Sequence, residues 1–356
     1  MPLRSLAILC LSLLGACASV PLERFERFEF SRPAMGTEFR LVFFARNRER
    51  AALAAESAFA RIAALERVLS DYDPGSELAR LGASSDGGGA GASVPVSEEL
   101  FAMLATAEDV ARASGGAFDV TVGPLSQLWR RAQRQGEPPS DVRLAGAMQA
   151  VGFEKLVLER ETRCVRLLAP GMRLDPGGIG KGFALDAALQ VLAEHGVERA
   201  LVVGGGDVAA SAAPPGRAGW NVAIAGLDSA EPAHDRAAAE LVLAHAALST
   251  SGDLVRFFEL AGTRYSHILD PRTGRALTER QLASVLAPSA ARADAWATAL
   301  AVLGPSGLDA LAREPGVEGR VALLGPDGVE LFESAHFPGA LSCASTAPHP
   351  TRRGSR

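Results

Sequence analysis

Hydrophobic and polar positions follow two different spacings along this chain. In residues 50–69, apolar side chains recur every three or four positions, so that Phe59, Ile62 and Leu65 share one face. This spacing predicts an amphipathic helix. Elsewhere, short apolar runs lie between Gly, Pro, Asp and Asn residues, which is typical of strands separated by turns. Because segments of both kinds alternate, the pattern predicts a mixed α+β fold.

Three further helices are indicated by the residues at their ends. Ser97 followed by two glutamates is typical of a helix start, and the glycines at 115 and 116 end that helix. A second helix is predicted from a glycine-rich segment near residue 180 to His195, and a third around Asp294 as far as residue 304. The first of these would bury an apolar stripe of Leu100, Met103, Leu104, Ala107 and Ala111.

The predicted strands are short and dominate the second half of the chain. They comprise residues 39–44, 201–203, 221–225, 240–248, 265–269 and 284–287, and a hairpin of 321–324 with 329–332 around Pro-Asp-Gly. A strand is also predicted just before the glycine-rich segment. Residues 84–93 predict a flexible surface loop, and residues 341–356 a disordered tail.

The N-terminus predicts export. Arg4 precedes an apolar run at residues 6–14 that is too short for a permanent transmembrane helix, which is typical of a signal peptide. Leu14-Gly15-Ala16-Cys17 resembles the lipobox of bacterial lipoproteins, in which Cys17 is lipidated; the alternative is an ordinary cleaved signal. We therefore expect a signal peptide at 1–16, a lipidated linker at 17–30 and a catalytic domain at 31–340, anchored to the inner or outer membrane on its periplasmic side.

The composition of the chain limits the classes of molecule that it is expected to bind. The chain is 48% hydrophobic and 22% charged with a net charge of −5, and aromatic residues make up 6%. It has no basic stripe and few stacking rings, so nucleic acid is not an expected partner. Of the four cysteines, Cys164 and Cys343 would remain in an oxidising compartment. Their spacing does not indicate a zinc site and leaves a disulfide open.

Three clusters carry candidate chemistry. The segment Asp175-Pro176-Gly177-Gly178-Ile179-Gly180-Lys181-Gly182 could bring backbone amides and a lysine to a phosphate, although alone it is more typical of a tight turn. Asp294 and Thr298 are four residues apart on a predicted helix and could together bind Mg²⁺, with a solvated Asp as the plainer interpretation. His267 could bind phosphate or move a proton, or be structural, and Asp270 favours a turn.

These clusters occur in order with other motifs, and together they resemble the ApbE family of FAD:protein FMN transferases over nearly all of residues 31–340. The motifs are Ala34-Met35-Gly36-Thr37 and residues 69–78, 115–125, 175–182, 204–208, 249–253, 265–274 and 293–300. The resemblance implies an α+β architecture related to the T-fold, with FAD and Mg²⁺ in a cleft between two lobes.

The resemblance also implies roles for individual residues. The FAD site would comprise Met35, Tyr72, Ala117, Phe118, Asp119, Asp175, Lys181, Ile268 and Leu269. The metal ligands would be the carbonyl of Gly178, the carboxylate of Asp294 and the hydroxyl of Thr298, and His267 would assist deprotonation, with Asp270 or a metal-bound water as alternatives. The chain departs from the family pattern at Pro176, Gly82 and Ala297. Because of these departures, the resemblance does not determine the fine cofactor preference.

The implied reaction is Mg²⁺-dependent transfer of the FMN half of FAD to a threonine of an acceptor protein, with release of AMP. Family acceptors carry a short motif ending Ser-Ala-Thr or similar and are subunits of membrane redox machinery. Two rival functions are a Mg²⁺-dependent FAD pyrophosphatase, in which water replaces the threonine, and a lipoprotein that only binds flavin.

Overall fold

The computed structural model describes residues 25–227, 237–252 and 257–338. Its strands are β1 (Glu26–Ala34), β2 (Thr37–Ala45), β3 (Val94–Pro95), β4 (Leu156–Glu159), β5 (Cys164–Leu167), β6 (Ala200–Gly204), β7 (Asp207–Ala210), β8 (Trp220–Ala225), β9 (Ala237–Leu243), β10 (Ala246–Gly252), β11 (Phe257–Leu260), β12 (Thr263–Ser266), β13 (Leu269–Asp270), β14 (Arg275–Ala276), β15 (Gln281–Ala287), β16 (Glu318–Gly325) and β17 (Gly328–Glu333). Its helices are α1 (Arg48–Leu69), α2 (Glu77–Ala83), α3 (Glu98–Ala113), α4 (Gly123–Gln135), α5 (Asp141–Met148), α6 (Gly180–Glu194), α7 (Ala290–Leu303) and α8 (Leu308–Leu311).

An antiparallel sheet forms the centre of the molecule, with strand order β1-β2-β6-β7-β10-β15-β16-β17. Helices α1, α6 and α7 cover one face, and the β8–β9 hairpin packs on the other. On β2, Leu41 and Phe43 therefore face the helices, whereas Val42 faces the hairpin. All of β15 is buried because both faces of the sheet are covered there.

The helix layer is closely packed because its facing positions are small. Helix α1 buries Ala51, Ala54, Ala55 and Ala58. At the start of α6, a Cβ on Gly182 would lie only 2.1 Å from the backbone oxygen of Ala290 at the start of α7. The Asp186 carboxylate accepts hydrogen bonds from the first two amides of α7, at 2.8 and 2.9 Å. The N-terminal ends of α6 and α7 are thereby held together at one place.

We expect Gly182→Ala to destabilise the protein by about 1 to 3 kcal/mol, because the added methyl group cannot fit without separating the two helices. Chemical denaturation measures this change. Gly146→Ala in α5 is the matched control: its Cβ would meet no atom within 4 Å, so the higher helix propensity of alanine should raise stability slightly. Equal effects of the two substitutions would contradict the packing argument.

A second group of elements lies beside the large sheet. It contains α4 and α5, the small sheet β3-β5-β4, and the two-stranded pairs β11-β12 and β13-β14, whereas α3 packs against α1 and α7 of the helix layer. Leu125 and Trp129 of α4 pack with Leu144 of α5 and Leu269 of β13 in a separate apolar cluster. Within the described ranges, no helix is long and apolar enough to cross a membrane.

Most predicted elements are confirmed. The four helices occur at α1, α3, α6 and α7, with Ser97 as the N-cap of α3. In the predicted hairpin, Val321 pairs with Phe332 and Leu324 with Val329. The signal peptide, Cys17, Cys343 and residues 341–356 lie outside the described residues, while Cys164 has a free thiol.

Three strand predictions were wrong. Residues 240–248 are two strands, because the chain turns at His245 with a φ of 50°. Residues 265–269 are also interrupted: the Ser266 hydroxyl accepts the amide of Ile268 at 3.1 Å and so ends β12. Before the glycine-rich segment, the chain makes only an isolated bridge between Arg173 and Val122.

Candidate functional site

A single cavity of about 1490 Å³ brings the predicted site residues together. Its lining includes Met35, Tyr72, Ala117, Phe118, Asp119, Asp175, Gly178, Lys181, His267, Ile268, Leu269, Asp294 and Thr298. These residues come from distant parts of the sequence, so their meeting is a property of the fold. The volume exceeds the roughly 300–1000 Å³ of typical small-molecule sites, which leaves room for a large ligand and a second reactant.

The glycine-rich segment forms a turn that opens helix α6. Asp175 fixes the turn because its Oδ1 accepts the amide of Gly177 at 2.8 Å. Gly178 lies against α7, and a Cβ there would be 2.7 Å from the Thr298 hydroxyl. Helix α6 has no side-chain cap at its N-terminus. The amide of Gly180 is bonded to the Pro176 carbonyl and that of Gly182 to the Asp294 carboxylate. The positive end of the helix dipole faces the cavity, which favours an anionic ligand.

Two buried carboxylates and one partly buried ammonium lie beside this turn. The Lys181 Nζ is 3.3 Å from both oxygens of Asp294 and 3.0 Å from Oδ2 of Asp207. The Gly182 amide donates to Asp294 Oδ2 at 3.1 Å. Burial raises the pKa of Asp294 to about 6, with Lys181 opposing the change and Asp207 adding to it. Burial alone would lower the Lys181 pKa, but Asp294 and Asp207 raise it above its ordinary value.

The donors around Asp294 fit a Mg²⁺ ion. Asp207, Asp294 and Lys181 together carry one excess negative charge in a buried place, which favours a further cation. The Thr298 hydroxyl adds a neutral oxygen, and the close approach of Gly178 brings its backbone to the same point. Within the described ranges no group of three or more His, Cys, Asp or Glu could hold a metal. Mg²⁺ does not need such a group, because it commonly takes one or two carboxylates together with phosphate oxygens and water.

Arg130, which the sequence reasoning missed, joins two acidic residues of the cavity lining. Its guanidinium donates to Asp71 at 2.6 Å and to Asp175 at 3.3 Å, and it stacks 4.4 Å from the centre of the Tyr72 ring. Burial and the nearby Asp175 raise the Asp71 pKa, which Arg130 opposes. Tyr72 remains 77% exposed. No local signal in the sequence separates Arg130 from the neighbouring Arg131.

We expect Arg130→Met to destabilise the protein by about 1 to 3 kcal/mol near pH 8, since two partly buried carboxylates would lose their shared cation. This loss of stability should be smaller at pH 5 than at pH 8. An acid whose folded pKa is raised is favoured when protonated, so its ionisation costs stability as pH rises. Denaturation at both pH values tests this. Arg131→Met removes the same charge from an exposed position and should have little effect; a pH-independent loss in Arg130→Met would contradict the argument.

Other predicted residues have local partners. Asp119 is buried, and its Oδ1 accepts both the amide and the hydroxyl of Thr121 at 2.7 Å; burial raises its pKa. Asp270, the alternative base, does not line the cavity and binds Arg272 through both carboxylate oxygens. His267 lies in the cavity lining between β12 and β13.

Met35 reaches the cavity from a strained turn. Met35 and Gly36 connect β1 to β2 with φ angles of 49° and 72°, the left-handed pair of a two-residue hairpin turn. This conformation is costly for methionine, where asparagine or glycine would be usual. The Met35 Cε lies 3.7 Å from the place that a Cβ on Gly180 would occupy. The turn therefore positions the side chain over the start of α6.

These features define an α+β protein with a large cleft that combines a helix N-terminus with acidic and basic groups. Residues 35–321 match the ApbE family, and the chain belongs to this family. It is 36% identical to the FAD:protein FMN transferase of Treponema pallidum over 282 residues, which covers 74% of this chain and 75% of the relative. The Escherichia coli K12 protein of the same name is 30% identical and covers 86% of this chain and 87% of its own length.

A solved structure has the same fold. The flavin transferase ApbE from Vibrio cholerae superposes with a TM-score of 0.78 at 25% identity, covering 89% of this chain and 100% of that protein. The α+β class predicted from the sequence is confirmed by this likeness.

Proposed function

We propose that this protein transfers the FMN half of FAD to a threonine hydroxyl of an acceptor protein, with Mg²⁺ and with release of AMP. The single observation that carries this proposal is the meeting of the glycine-rich turn, Lys181, Asp294 and Thr298 in one large cavity. The names of the relatives support FAD as the donor and a protein as the acceptor. The threonine, the metal and AMP release are inferred from the chemistry of the cavity.

The cavity offers groups for each part of FAD. The positive end of the α6 dipole and the Lys181 ammonium would attract and bind the pyrophosphate. The exposed ring of Tyr72, held by Arg130, offers a face on which a planar ring can stack. The remaining depth of the cavity admits a segment of the acceptor.

The reaction forms one phosphorus–oxygen bond and breaks another. The threonine oxygen attacks the phosphorus on the FMN side of the pyrophosphate, the bond to the AMP phosphate breaks, and the threonine proton passes to His267. Asp294, Thr298 and the Gly178 carbonyl would hold Mg²⁺, which supplies positive charge to the phosphate oxygens. Lys181 would add a second positive charge, and the turn fixed by Asp175 would hold the start of α6 in place beside the leaving phosphate.

We further propose that the enzyme works at the cell envelope, anchored through lipidated Cys17 on the periplasmic side of a membrane. The basis is the lipobox-like Leu14-Gly15-Ala16-Cys17 after a short apolar run. Expression of the full chain with Cys17→Ser as the matched control tests the anchor. Metabolic labelling with a fatty acid should mark the parent protein and not the variant; labelling of neither would contradict the proposal.

One assay separates transfer from its rivals. The chain starting at residue 18 is incubated with FAD, Mg²⁺ and a peptide that contains Ser-Ala-Thr, and intact mass and free FMN are followed. We expect the peptide to gain the mass of FMN, and a Ser-Ala-Ala peptide to remain unchanged. Free FMN without peptide modification would indicate a pyrophosphatase, and unchanged FAD would indicate a protein that only binds flavin.

A further inference from the structure

The Lys181 ammonium lies between two buried carboxylates and is bound by both. Its Nζ is 3.0 Å from Asp207 Oδ2 and 3.3 Å from each oxygen of Asp294. Both acids are almost fully buried, with side chains 4% and 2% exposed. Water therefore screens these charges little, and their positions determine what else the cluster can bind.

The position of Lys181 conflicts with metal binding at Asp294. An ammonium in contact with both carboxylate oxygens takes the places that a Mg²⁺ ion would use, and the two cations would repel each other strongly at such short range. If Asp294 were the only partner of Lys181, the metal would have to displace a buried ammonium that had no other anion to bind. A second anion is therefore required beside Lys181.

Asp207 has the position and the orientation to be that second anion. It begins β7 directly after Gly205 and Gly206, whose φ angles of 62° and 95° turn the chain toward the cavity. The Ser249 hydroxyl donates to its Oδ1 at 2.5 Å, which fixes the carboxylate. Its Oδ2 makes no hydrogen bond within the described part of the chain and lies at ion-pair distance from Lys181.

We propose that Asp207 is a positioning residue that holds the Lys181 ammonium when Asp294 binds Mg²⁺, so that the metal and the lysine act in the site together. This proposal rests on the Mg²⁺-dependent function proposed above. The cluster without metal has a net charge of about −1, and with Mg²⁺ about +1, counting formal charges at neutral pH. Asp207 thereby lets the site change from a binder of cations to a binder of pyrophosphate.

Calorimetric titration of Mg²⁺ into the nucleotide-free chain tests this without turnover. The proteins are the parent, Asp207→Asn, Lys181→Met and the double variant. We expect Asp207→Asn to weaken Mg²⁺ binding by about tenfold or more, because Lys181 would then pair with Asp294 alone. Lys181→Met in the Asp207→Asn background should restore the affinity to within about threefold of the parent, since the competing ammonium is gone.

Each alternative gives a different result. If Asp207 were itself a metal ligand, Lys181→Met would not restore binding in the double variant, and the proposal would be overturned. Unchanged affinity in Asp207→Asn would also overturn it. If the Mg²⁺ affinity does not depend on Asp207, only the role of Asp207 is refuted and the proposed function stands. If the parent protein binds no Mg²⁺, both the role of Asp207 and the Mg²⁺-dependent function are refuted.

If Asp207→Asn does not fold, a less disruptive variant can test the same proposal. Ser249→Ala removes only the hydroxyl that orients Asp207, and circular dichroism verifies its fold. We expect weaker Mg²⁺ binding than in the parent, with a smaller change than in Asp207→Asn and with the same restoration by Lys181→Met. An affinity equal to that of the parent would overturn the role assigned to Asp207.

Discussion

Asp294→Asn should reduce Mg²⁺-dependent FMN transfer by at least about a thousandfold while the protein stays folded. The amide has the shape of the carboxylate but lacks its charge, so the only anionic ligand of the proposed metal set is lost. Mass measurement of the acceptor peptide gives the rate, and calorimetry gives the Mg²⁺ affinity. Full activity in this variant would refute the metal site.

The stability of the same variant distinguishes a functional carboxylate from a structural one. Burial raises the pKa of Asp294 to about 6, so the ionised form destabilises the metal-free fold as pH rises through that value. Because Lys181 stays paired with Asp207 and an amide oxygen can still accept the Gly182 amide, the metal-free Asn variant should lose little stability at pH 7.5 relative to the parent. Thermal unfolding without Mg²⁺ measures this, and a large loss would indicate that Asp294 mainly supports the fold.

His267→Ala should lower FMN transfer by about a hundredfold to ten-thousandfold, the usual contribution of a general base. Binding of FAD, followed by quenching of flavin fluorescence, should change little, because the pyrophosphate is held by other groups. His195→Ala is the control: this histidine is exposed at the end of α6 and does not line the cavity. Equal rates in the parent and the His267 variant would show that another group accepts the threonine proton.

The helices were more predictable than the strands because their signals are local. Apolar spacing and caps such as Ser97 lie within a few residues of each other. Strand boundaries depend on tertiary neighbours: β1 is mostly polar and exposed, and it forms a strand because it pairs along its whole length with β2. The sequence of residues 240–248 contains no turn signal that predicts the positive φ of His245.

The site residues also divide into those with a local sequence signal and those without one. Asp294 and Thr298 could be paired from their helical spacing, and the turn at Asp175 from its glycines. Arg130 and Asp207 could not be assigned partners, because Arg130 meets its two acids, and Asp207 meets Lys181, only through the fold. Their importance comes from burial and shared charge, which only the folded chain reveals.

The β1–β2 hairpin links the start of the domain to the cavity. Strand β1 has nine residues, so its far end lies about 30 Å from the Met35 turn at the rise of an extended strand. The segment that leads back to Cys17 joins at that far end. If the anchor is as proposed, the cavity lies at the opposite end of β1 from the point at which the chain leads back to the lipid attachment.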